Sequence, residues 1–90
     1  MTAKTYRKRP VAIEAWQFTG GKDNALEILK WIQSYDKGAT YHDTIDAISV
    51  HSEEGWMRAD IGDWIIKGVK GEFYPCKPDI FSMTYDEAAP

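Results

Sequence analysis

Cysteine is almost absent from this 90-residue chain: Cys76 stands alone. It has no partner for an internal disulfide, so a reducing, cytosolic compartment is the expectation. Long apolar runs are missing too. The longest are Val11-Ala12-Ile13 and Trp64-Ile65-Ile66, three residues each, and neither a membrane span nor a signal-peptide core fits inside that length. There is no excess of positive charge. Eleven basic against fourteen acidic residues give a net charge of −3, which argues against general affinity for nucleic acid.

What the chain does carry is apolar and aromatic mass. Apolar residues make up 43% and aromatics 13%, including Trp16, Trp31, Trp56 and Trp64, a composition of ordered rather than disordered protein. Size scaling gives about 5,400 Å² of accessible surface folded against about 15,000 Å² unfolded, enough burial for one small core. A single domain over residues 1–90 follows. Its first nine residues hold Lys4, Arg7, Lys8 and Arg9. Such a cluster beside Tyr6 suits a short phosphate-contacting arm. A solvated terminus leading into the first strand is the commoner outcome.

Periodicity organises the rest. Pro10 opens ordered structure, and Val11, Ile13 and Ala15 alternate with Ala12, Glu14 and Trp16 as a strand does. Gly20-Gly21 breaks it. Asp23 or Asn24 is the expected N-cap of a helix of 12 to 14 residues. Its apolar stripe is Ala25, Ile28, Leu29, Ile32 and Tyr35, and Gly38 is its expected left-handed C-cap. Polar residues 39–44 read as a loop. Residues 45–51 read as a second strand, and 52–55 as a hairpin turn with Gly55 at positive φ. Residues 56–59 form the third strand, 61–63 a corner, 64–66 a fourth strand and 72–76 a fifth. Trp64 is expected to be substantially buried, and Pro75 marks an edge. Pro78 begins a short helix over 78–83 with Phe81 and Tyr85 on one face. Residues 86–90 are an acidic tail. The expected fold is α+β: one mainly antiparallel sheet of four to five strands with the main helix packed on it.

Catalytic constellations are weak. Cys76 beside Lys77 suggests a lowered thiol pKa, but both histidines are more than twenty residues away in sequence, and a lone strand cysteine more often packs as a small hydrophobe. His42, Asp43 and Asp46 form the one His/carboxylate cluster, without zinc spacing, in a polar loop where such residues are ordinary. Gly62, Gly68 and Gly71 match neither phosphate-loop pattern and serve turns. No carboxylate pair has the spacing for acid–base work. No catalytic residue, metal or cofactor is therefore assigned. An aromatic and basic surface is left, made of Trp64, Lys67, Lys70, Tyr74 and Lys77. On one face these residues would hold a nucleotide-like anion or an acidic partner. Adjacent short strands are expected to bring the three lysines together; the alternative, which is favoured, is that they point apart and keep an edge strand soluble.

Two stretches are familiar as wholes. YRKRPVAIEAWQFTG (residues 6–20) and GDWIIKGVKGEFYPCKPDIF (residues 62–81), with Thr84-Tyr85 after it, resemble the two ends of a family of small bacteriophage and prophage proteins. They cover about 40 of the 90 residues; residues 21–61 carry no such resemblance. The resemblance implies a phage-encoded accessory protein in the host cytoplasm and transfers no catalytic residue. Within those blocks Gln17, Lys67, Tyr74 and Lys77 are not explained by packing alone. The leading expectation is a non-enzymatic module that binds a host or phage protein or a small ligand. A second is sequestration of a nucleotide-like signal against host defence, with an oligomer and a positive pocket. A third is nucleic-acid binding through the basic N-terminus.

Overall fold

The computed structural model describes residues 2–88. Residues 2–13 have no regular structure, so the first strand begins later than the alternation from Val11 implies. Then come β1 (Glu14–Gln17), α1 (Lys22–Gln33), β2 (Ala39–His42), β3 (Ala47–Ser52), β4 (Gly55–Ala59), β5 (Trp64–Lys67), β6 (Phe73–Cys76) and α2 (Pro78–Thr84). The fold is α+β. Among the described residues it has six strands in two three-stranded antiparallel sheets, ordered β1-β5-β6 and β2-β3-β4, where a single sheet of four to five strands was expected.

Two local facts produce that difference. β2 falls where a polar loop was expected, because Thr40 and His42 face outward while Ala39 and Tyr41 pair inward against Val50 and Ile48. An edge strand with one wet face reads as polar. The sheets also fail to merge, although β6 lies beside β3 and β4. Pro75 has no N–H to donate and ends its sheet at β6.

α1 has the expected length, and Ala25, Ile28 and Ile32 are fully buried. Its caps differ from expectation. Gly21 is the N-cap at φ 87, and Asp23 and Asn24 lie inside the helix. Asn24 accepts the N–H of Thr19 through Oδ1 at 2.9 Å, and Asp46 accepts that of Gly21 through Oδ1 at 3.0 Å. At the other end Asp36, at φ 59, takes the left-handed turn expected of Gly38. Asp tolerates that region because its short side chain bonds locally.

One core joins both sheets and α1: Phe18, Ile28, Ile32, Ile48, Val50, Ile65 and Phe73 are all within 1% of complete burial. Phe73 is at its centre. Trp31 of α1 meets it edge-on at 5.1 Å, and Tyr35 lies at 6.0 Å. The molecule is long, with a Cα radius of gyration of 14.5 Å against about 12 Å for a compact chain of this length. Residues 86–88 have no regular structure; the remainder of the expected tail, and Met1 of the arm, lie outside the described residues.

Phe73→Ala should destabilise the fold by about 3–5 kcal/mol in denaturant unfolding, most of what so small a domain has. A loss below about 1 kcal/mol would mean that the helix and the two sheets do not share this ring.

Candidate functional site

Strand parity divides β1-β5-β6 into two faces. Trp16, Ile65 and Phe73 face α1; Ala15, Gln17, Trp64, Ile66, Tyr74 and Cys76 share the other face. That second face is roofed by the two ends of the chain. Pro78 sits at the first turn of α2, where its missing N–H costs nothing. Four-residue spacing then lines up Phe81 and Tyr85, whose rings are 5.1 Å apart. Phe81 stacks on Trp64 at 4.0 Å and 5°. Trp64 is thus half-buried beneath α2 and stands outside the core proper. From the other end Lys8 places Nζ 5.7 Å from the Tyr85 ring, and Ile66 beneath is 1% exposed.

Between the arm, Tyr74 and α2 lies a groove of about 370 Å³, lined by Lys8, Arg9, Glu72, Tyr74, Thr84 and Tyr85 among others. The Glu72 carboxylate is occupied locally, accepting the Lys70 N–H at 3.0 Å. Burial first, then a hydrogen bond with Tyr85, pushes the Tyr74 hydroxyl up to about 12. The groove therefore offers two exposed cations, two tyrosine rings and a phenol that stays protonated.

The residues singled out from the sequence disperse. Gln17 donates to the Gly62 carbonyl at 3.1 Å and braces the corner before β5. Lys67 faces α1, 3.3 Å from Glu14 Oε2, with its ammonium 4.3 Å from the Tyr35 ring centroid. Lys77 pairs at 3.0 Å with Asp63, a carboxylate 3% exposed that also accepts the Asp60 N–H. Lys70 is exposed on the β5–β6 turn. The expected gathering of lysines does not occur. Lys67 lies opposite Phe73 at one end of the hairpin, and Lys77 follows the Trp64–Cys76 pair at the other, about 13 Å away along the strands. Of the five residues, Tyr74 alone lines the groove.

The chain matches no family profile, no curated protein and no solved structure. Function rests on geometry. Among the described residues no group of three His, Cys, Asp or Glu side chains is placed to hold a metal ion. His42 Nε2 instead lies 2.9 Å from Ser49 Oγ, and Asp46 accepts from the Tyr41 hydroxyl at 2.8 Å. Cys76 is half-buried. Desolvation, then the charges of Asp63 and Asp79, raise its thiol pKa, while the neighbouring Lys77 ammonium is held by Asp63. No helix of the described residues is long and apolar enough to cross a membrane.

Two measurements test this arrangement. Tyr74 has an ordinary pKa of 10.0 when unfolded and about 12 when folded. Its contribution is complete below pH 10 and disappears as pH rises through 12, because the unfolded chain releases the proton first. Stability should fall over that interval, and Tyr74→Phe should flatten the fall. Cys76 should alkylate more slowly at neutral pH than a free thiol; faster reaction would show an exposed, activated thiolate.

Proposed function

We propose that this chain is a non-enzymatic binding module of phage or prophage origin. It works in the host cytoplasm, and the arm groove takes a small nucleotide-like anion. One observation carries the reading. Every described residue lining the groove falls within residues 6–20, 62–81 or 84–85, the stretches that resemble the phage family, although the two ends are some sixty residues apart in sequence. The fold brings both blocks together around a single space.

The lining suits the ligand class. Lys8 and Arg9 supply charge to an anionic group, Arg with a planar fork that matches phosphate oxygens. Tyr74 and Tyr85 supply ring faces for a base. Pairing ring faces with cations selects an anion that also carries an aromatic group.

The test is a thermal-shift panel of mononucleotides and cyclic nucleotides, with inorganic phosphate as control. Ligand at about 100-fold above its Kd should raise Tm by about 10 °C or more. The paired substitution Lys8→Glu with Arg9→Glu should abolish the shift while leaving the unliganded Tm near the parent's. No shift with any nucleotide, or an unchanged shift in the charge-reversed variant, overturns the site. Salt-dependent binding of a short oligonucleotide, lost when residues 2–9 are removed, would reassign the arm to nucleic acid.

A further inference from the structure

The sheet β2-β3-β4 turns its second face to solvent, and near its hairpin end lies the ring of Trp56. Trp56 stands on β4 opposite His51 of β3, and His51 donates its N–H to Gly38 just before β2. The indole crosses this row. Its benzenoid end reaches Gly38, where a Cβ would come within 3.1 Å of Cη2 and 3.6 Å of Cζ2. Gly38 has an ordinary negative φ; its missing side chain makes room for the ring. His51 meets the indole at 5.2 Å and 66°, bracing it from the side. The ring is held, and yet Trp56 is 59% exposed.

Beside it is a shallow depression of about 240 Å³ lined by Thr40, His42, Ser49 and Trp56. These neighbours are hydrogen-bonding groups: two hydroxyls, an imidazole and an indole. His42 Nε2 is engaged with Ser49 Oγ, leaving Nδ1 and the Thr40 hydroxyl for a ligand. The strands' one ionised side chain on this face, Arg58, is held by Asp60 at 2.7 Å. A phosphate chain finds no unpaired cation on these strands. An uncharged polyhydroxyl ring finds both things it needs: an electron-rich flat face for its C–H edge and hydrogen-bonding partners for its hydroxyls.

We propose that the Trp56 face is a second binding site, for a neutral saccharide. It lies in residues 21–61, outside the phage-like blocks, and on the opposite sheet from the arm groove. Its failure and that of the groove are therefore independent.

The experiment follows the Trp56 indole N–H in ¹H–¹⁵N spectra, assigned by its disappearance in Trp56→Leu. The probes are neutral oligomers of glucose and of N-acetylglucosamine, with oligodeoxythymidylate as the charged comparison. A saturable shift of that resonance at millimolar saccharide is expected, with Ser49→Ala weakening it several-fold. Gly38→Val, which displaces the ring, should abolish it; if that variant unfolds, the surface substitution Trp56→Leu must remove the remaining backbone shifts around Thr40 and His42. No shift with any saccharide overturns the proposal. So does an equal, salt-sensitive shift with oligodeoxythymidylate, which would make the face a base-stacking surface.

Discussion

The fold depends on one ring. Helix α1 packs on both sheets, and Phe73 is where all three meet. It reaches the core from an edge strand whose neighbours across the gap, β3 and β4, are not hydrogen-bonded to it. Side-chain packing thus does between the sheets what backbone hydrogen bonds do within each. Trp31 and Tyr35 close on the same ring from the helix side. Asp46 reinforces the junction by tying the β2–β3 turn to Gly21, the N-cap of α1, with the Tyr41 hydroxyl on the same carboxylate. That shared bond is the main reason the Tyr41 phenol pKa is raised.

Much of this was legible in the residues. The stripe Ala25, Ile28, Ile32 announces α1 because a helix needs one dry face, and the turn glycines Gly55 and Gly62 carry the positive φ that their positions require. β2 was hidden. An edge strand with Thr40 and His42 outside has no more apolar residues than a loop, and only its pairing with β3 distinguishes the two. The caps of α1 were hidden for a related reason: the group that secures Gly21 is Asp46, 25 residues onward. Short-range spacing reports local bonds and is blind to distant ones.

The candidate site shows the same division. Tyr74 stood out because strand packing left its polar end without a reason, and it does line the groove. Lys67 and Lys77 stood out equally, but each neutralises a carboxylate, Glu14 and Asp63 respectively, and Asp63 is nearly buried. An unpaired buried carboxylate is costly, so Lys77 has a structural duty that sequence alone conceals. Lys8, Arg9 and Tyr85 complete the groove from opposite chain ends, where no spacing rule connects them. The proposed site is a product of topology.

The two sheets also differ in how they are made. β2, β3 and β4 are consecutive, so each finds its partner within a few residues of leaving the ribosome. β1 does not. Glu14 bonds across to Lys67, 53 residues later, and loops of that length close late. During synthesis β1 is an unpaired strand edge bearing Trp16, a transient hazard for sticking to other chains. That strand is only four residues long, and Lys4, Arg7, Lys8 and Arg9 lie upstream of it, beyond Pro10-Val11-Ala12-Ile13. Charge flanking a short strand that pairs late is the arrangement that limits such sticking.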